Sequence, residues 1–261
     1  MGTSQDDPSA RITACKAEGL VRQGFVTAQA LAFLRACVQA GLNLAISGPA
    51  GSGKRSLLYV LVSSADCDGQ ILAIQNPDEP ALERKGITTL RANLDPPEGQ
   101  QRITRHYLLT IVPKMQPQGL VLDRVDGAEA VPLLKLLLAM SGVIFSIIAE
   151  SPEDALCKLE SWGLLHGSGL DSRAIRRILS TSLDLIIQLV KRDTESPVVA
   201  SLTEVLEFEN GTPTLRDIFL LQDVQRHEAE RGSELRPTGT KPQFLDRLKM
   251  LGISLPKDVF V

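Results

Sequence analysis

Seven residues, Gly48-Pro49-Ala50-Gly51-Ser52-Gly53-Lys54, lie between a short apolar run, Leu42 to Ser47, and a helical stretch from Arg55 to about Val62. Three glycines so close together let the chain turn sharply, so that successive amide N–H groups converge on one point. The start of the following helix adds a partial positive charge there. A strand, this loop and a helix in that order make a phosphate-binding loop, with Lys54 placed to reach the outer phosphates of a nucleotide. The same order constrains the fold, because the strand of such a unit belongs to a parallel sheet covered by helices.

The rest of the chain supports that architecture. Thr27 can cap a helix to about Ala40, in which Leu31, Leu34 and Val38 recur at helical spacing and Gly41 provides the end. Further buried strands are expected at Ile71 to Ile74, Leu120 to Asp123 and Val143 to Ala149, with helices between them. Their nearly continuous apolar runs fit a parallel sheet buried on both faces. Leu183 to Val190 and Ala200 to Phe208 also read as strands. Asn210-Gly211 is a tight-turn signal, so an antiparallel extension is expected on one edge. Gln222 to Arg236 is charged and reads as a helix or solvated linker, and Lys241 to Lys249 as a final short helix. The expected organisation is a disordered segment over residues 1–10, an α/β nucleotide-binding domain over 11–221 and a C-terminal helical extension over 222–261.

Composition excludes several alternatives. With 28 basic and 31 acidic residues the net charge is -3, and aromatics make up 4% of the chain. Neither a basic surface nor a stacking platform for nucleic acid is indicated. The four cysteines, Cys15, Cys37, Cys67 and Cys157, form no metal-binding pair and fit unpaired thiols in a reducing compartment. Residues 1–8 are polar and acidic, unlike a signal peptide. The longest uncharged apolar run, Leu136 to Ala149, has 14 residues, short of the roughly 20 that a membrane helix needs. It reads as a helix end, a turn at Ser141-Gly142 and a strand. A soluble, cytoplasmic protein is expected.

The site departs from the common pattern at its metal. The residue after the loop lysine is normally Ser or Thr, whose hydroxyl holds Mg²⁺; here it is Arg55, which has no lone pair to offer. Ser56 is turned by about 100° from that position, although it can still touch a phosphate. Asp123 ends an apolar strand where a metal-holding carboxylate sits, or simply terminates the strand. Arg124 follows where a glutamate would polarise water.

Several stretches in chain order resemble the type II and type IV secretion ATPases, and most closely the ATPases of tight-adherence pili. Val125 to Ala130 is similar to the family's Val-Arg-Gly-x-Glu-Ala. Ser151 to Leu156 with Lys158-Leu159-Glu160 is similar to Ser-Pro-Arg-Asp-Ala-Leu and Arg-Leu-Glu. Ser201 to Val205 resembles Ser-Ile-Thr-Glu-Val, and Lys241 to Leu248 resembles Arg-Pro-Lys-Phe-Leu-Glu-Arg-Leu. The resemblance implies a RecA-like core and ring assembly, with ATP or ADP held by Gly48, Pro49, Ala50, Gly51, Ser52, Gly53, Lys54, Arg55 and Ser56. It also implies partners: the chain itself or an active homologous ATPase, and a platform protein at the inner membrane.

Measured against that family, the chemistry is depleted. Gln75-Asn76 corresponds to an acidic pair, Asp123-Arg124 to Gly-Glu, and Ile148 to the last histidine of a histidine box. Lys114-Met115-Gln116-Pro117 keeps one of two charges of Arg-Met-Arg-Pro, and Leu90 to Pro97 covers a family arginine. Only 47 residues precede Gly48, too few for the family's first domain, which is either absent or cut away. The reading is a pseudo-ATPase that acts as scaffold or regulator, with no clear place for Mg²⁺. It binds nucleotide weakly through Gly48 to Ser56 without the metal, or binds none, in which case Arg55 pairs with Asp123 and locks the empty site. The alternative is an active Mg-ATP motor using Asp123 for the metal and Asp126, Glu79 or a neighbouring subunit's side chain to orient water.

Overall fold

The structure is a computed structural model that describes residues 17–64, 70–77, 79, 82, 86–96, 101–192, 196–227, 230–256 and 258–260. The segment expected to be disordered, residues 1–10, lies outside these, as do Cys15 and Cys67. In chain order the elements are α1 (Ala17–Arg22), α2 (Ala28–Gln39), β1 (Leu44–Gly48), α3 (Lys54–Ser64), β2 (Ile71–Gln75), β3 (Ile87–Arg91), α4 (Arg105–Met115), β4 (Gly119–Val125), α5 (Ala130–Ala139), β5 (Val143–Ile148), α6 (Pro152–Leu165), α7 (Ser172–Ser182), β6 (Leu185–Lys191), β7 (Pro197–Glu209), β8 (Thr212–His227), β9 (Glu230–Pro237) and α8 (Leu245–Met250).

The strands form one sheet in the order β3-β2-β4-β5-β1-β6-β7-β8-β9. Strands β1 to β6 run parallel, and β7, β8 and β9 add on antiparallel. The parallel strands other than the edge strand β3 are largely buried on both faces, and their alternation sorts side chains between two cores. Leu44 and Ile46 of β1 join Leu57, Leu58 and Leu61 of α3 on one face. Ala45 of β1 joins Phe145 and Leu133, Leu134, Leu136 and Leu137 of α5 on the other. The expected helix after Thr27 begins there, with the Thr27 hydroxyl accepting from the Ala30 amide.

The antiparallel edge turns at Asn210-Gly211 as the sequence indicates. Both residues have positive φ, 52° and 89°, as a two-residue hairpin of the favoured hand requires. One expectation is corrected here. Gln222 to Arg236 is neither helix nor linker: β8 continues to His227 and pairs with β9 through most of this stretch. The pairing is carried by main-chain hydrogen bonds, which a charged sequence with few apolar residues does not announce. The half-exposed edge strand β3 was likewise not signalled by an apolar run. The final helix starts later than expected, at Leu245, and its Leu248 is fully buried.

Candidate functional site

Strand β1 lies at the middle of the sheet, so the loop at its C-terminal end opens where several strand ends meet. Gly48, Gly51 and Gly53 have φ of 154°, 72° and 82°. A Cβ at Gly48 would lie 2.7 Å from the carbonyl oxygen of Leu189, and one at Gly53 would lie 2.8 Å from the Phe25 ring. Glycine is therefore required at both by conformation and by space. The Ser52 amide closes the turn on the Pro49 carbonyl at 3.2 Å.

Lys54 begins α3 and folds back into the loop, where its Nζ donates to the Gly48 and Pro49 carbonyls, both at 2.7 Å. Burial pulls its pKa down; Asp123 and Glu150 oppose that and Lys191 adds to it. Lys191, at the end of β6, brings its ammonium to 3.1 Å from where a Cβ on Gly51 would stand. A second cation thus overhangs the loop. Ser56 is half-buried in the first turn of α3.

Arg55 turns to the neighbouring strands. Its Nε donates to Asp123 Oδ2, and its Nη2 lies 3.4 Å from Glu79 Oε1. Burial works against the charge, but the hydrogen bond and attraction from Asp123, with Glu79 adding, raise the guanidinium pKa above its ordinary value. The pairing of Arg55 with Asp123 that the sequence allowed is formed. Asp123 is buried, and its other oxygen accepts from Ser146 Oγ at 2.8 Å. Its main-chain oxygen accepts from Arg105 at 2.9 Å.

The amides that take the place of the family's acidic pair are also occupied. Gln75 Nε2 donates to the Tyr59 hydroxyl at 2.8 Å, and Asn76 Nδ2 donates to Glu79 Oε1 at 2.8 Å. Burial pushes the Tyr59 phenol up to about 12. Arg124 is exposed at the site's rim with φ of 52°, and its N–H donates to Ser146 Oγ at 2.7 Å.

These residues fit a phosphate group and do not fit Mg²⁺. The loop supplies turned amides, a helix N-terminus and two lysines, which suit an anion. Both Asp123 oxygens have partners, and a cation lies on the one facing Arg55. A divalent ion about 4 Å from that guanidinium would meet a repulsion of about 8 kcal/mol at an effective dielectric near 20. Among the described residues, Asp123 and Glu79, the carboxylates that would offset it, are already shared with Arg55.

Other residues singled out in the sequence have structural duties. Asp126 accepts from the Ala128 amide, and Glu129 reaches back to the Asp126 amide, a reciprocal cap. Ser151 caps α6 with Pro152 behind it, and Asp154 pairs with Lys158. Glu160 holds Arg176 at 2.9 Å. Glu204 holds Arg216 and the Gln243 amide, tying the tail to β7. Arg91 donates to the Pro77 carbonyl, and Ile148 is partly exposed at the end of β5. Sequence reading missed Lys191, Ser146, Tyr59 and Arg105. Only the parallel register, with Leu122 opposite Phe145, places Ser146 beside Asp123.

Fold and loop together define an α/β RecA-like P-loop domain. Within that class the chain belongs to the type II/IV secretion system protein family, which residues 12–233 match. Among relatives, it is 26% identical over 170 residues to Protein VirB11 of Rhizobium radiobacter, covering 64% of this chain and 49% of that one. It is 26% identical over 164 residues to the type IV secretion system protein PtlH of Bordetella pertussis, covering 61% and 48%. The chain thus spans about half the length of these curated relatives. The crystal structure of the VirB11 ATPase from the Brucella suis type IV secretion system, in complex with sulphate, superposes with a TM-score of 0.57 at 22% identity. That likeness covers 77% of this chain and 59% of that one.

Proposed function

We propose that this chain is a nucleotide-binding, hydrolysis-deficient subunit of a bacterial secretion or tight-adherence pilus assembly machine, acting as a scaffold or regulator. The observation that carries the reading is the Arg55 guanidinium seated on Asp123 and Glu79. The loop keeps what holds phosphate, namely Gly48 to Ser56 with Lys54 at the helix start. The groups a motor would use on water are otherwise engaged. Glu79 is bound by Arg55 and Asn76, Asp126 caps a turn, and Arg124 carries the wrong charge for a base. Loss of a single transition-state stabiliser commonly costs about 10²–10³ in rate, and several are replaced together.

In this reading ATP or ADP stabilises the subunit's shape and is not consumed. The subunit packs with its own copies or with an active homologous ATPase, on the cytoplasmic side of a membrane platform protein. No helix among the described residues is long and apolar enough to cross a membrane, which agrees with attachment through partners.

The test is nucleotide binding and phosphate release by the purified chain beside Lys54→Ala. Binding abolished in Lys54→Ala, with phosphate release no faster than that variant's, is the expected result. Release well above the Lys54→Ala level would restore the motor reading. Absence of binding would remove nucleotide from the function.

A further inference from the structure

Arg55 occupies the chain position directly after Lys54, and its side chain reaches the carboxylates of β4 and of the segment after β2 from there. It binds Asp123 Oδ2 through Nε and approaches Glu79 Oε1 at 3.4 Å, a bridge between two acids that a cation would otherwise make. Both carboxylates are buried, whereas the Arg55 side chain is 46% exposed, and these contacts engage Nε and Nη2 of a head that carries five donors. Lys191 stands beside Gly51 on the other side of the loop.

We propose that Arg55 replaces the divalent ion as a tethered cation, so that the loop takes a nucleoside polyphosphate free of metal, with Lys191 as a further phosphate contact. This rests on the nucleotide-binding reading above and specifies its ligand. A guanidinium donates to phosphate oxygens in pairs while neutralising them, which covers the metal's electrostatic role without its coordination chemistry. Metal-free nucleotide carries more negative charge than its Mg²⁺ complex. Lys54 and Lys191 favour the more negative form, and Arg55, by holding Asp123 and Glu79, keeps those acids from recruiting the metal. The site therefore prefers the free form, the reverse of a metal-dependent site.

Calorimetry with ATP and the full chain, in EDTA and then in excess Mg²⁺, reads the preference directly. Affinity is expected to fall about tenfold when Mg²⁺ is added. Arg55→Thr, which supplies a hydroxyl in place of the cation, is expected to reverse the order, and Arg55→Lys to keep it. Lys191→Ala is expected to weaken binding in EDTA about threefold. Tighter wild-type binding in Mg²⁺ overturns the proposal and leaves nucleotide binding intact. Absence of binding in both buffers removes the nucleotide reading itself. The wild-type comparison decides even if Arg55→Thr, which strands two buried acids, melts too early to assay.

Discussion

Arg105 and Glu129 form an ion pair at 3.0 Å in which both side chains are only 7% exposed. A second arm of Arg105 donates to the Asp123 carbonyl at 2.9 Å. One guanidinium thus fastens the capping turn after β4 to the strand end that carries Asp123. Removing one member of a buried pair leaves the other charge without compensation, which typically costs about 3–5 kcal/mol. Arg105→Ala is expected to lower stability by that amount. In a domain of this size each kcal/mol is about 2–4 °C in melting temperature. Glu129→Gln, which keeps a hydrogen-bonding oxygen, should cost less. A shift under about 1 kcal/mol in Arg105→Ala would mean that water reaches the pair.

Tyr59 is 3% exposed, and its hydroxyl accepts from Gln75. Burial raises its phenol from 10.0 to about 12. The folded state therefore holds the proton more tightly than the unfolded chain does. The stabilisation is fully present below pH 10 and is lost as pH rises from about 10 through about 12. The chain has two tyrosines, so Tyr107→Phe leaves Tyr59 as its sole phenol. Its phenolate absorbance is expected to develop around pH 12 in the folded protein and around pH 10 in denaturant. Equal midpoints would show that the site between α3 and β2 is wet.

Much of the architecture was legible because burial writes itself into sequence. The runs in β1, β4, β5 and β6 are apolar on both faces, and a strand between two helical layers needs that composition. The loop was legible because its glycines are conformationally obligatory. What could not be read was set by pairing. β9 is held by main-chain hydrogen bonds to β8, and its charged sequence carries no alternation. Ser146, Lys191 and Arg105 meet the site only through the register of separate strands and the placement of α4. The stretches from Ser151 and from Ser201 were recognisable as motifs. Their duties, a helix cap and an anchor for the tail, became evident only from what they touch.

Glu204 is 3% exposed and accepts from Arg216 Nη2 at 2.6 Å and from the Gln243 amide at 2.7 Å. The second bond joins the segment before α8 to the sheet, where Phe244 stacks on Phe33 at 6.1 Å between ring centroids. Glu204→Ala is expected to destabilise the domain by about 2–3 kcal/mol, since hydrogen bonds to a charged group are lost and Arg216 is left unpaired. A local consequence separates this clasp from general softening. Hydrogen exchange at the Gln243 amide should accelerate well before exchange in β1 changes. Uniform acceleration through the sheet would contradict the clasp.

Arg124 adopts φ of 52° although it is not glycine, and the bond from its N–H to Ser146 Oγ at 2.7 Å holds it there. A left-handed conformation costs an L-residue about 1–2 kcal/mol. Glycine avoids that cost but loses more backbone freedom on folding, by about 0.5–1 kcal/mol. Arg124→Gly is therefore expected to stabilise the domain by about 0.5–1 kcal/mol. Arg124→Val, a β-branched residue poorly suited to positive φ, should destabilise it. Ser146→Ala tests the restraint, because without it the peptide can relax and the gain from Arg124→Gly should shrink when the two changes are combined. If Gly and Val at position 124 melt at the same temperature, the backbone there is not held left-handed, and Arg124 would be free to swing its charge towards the loop.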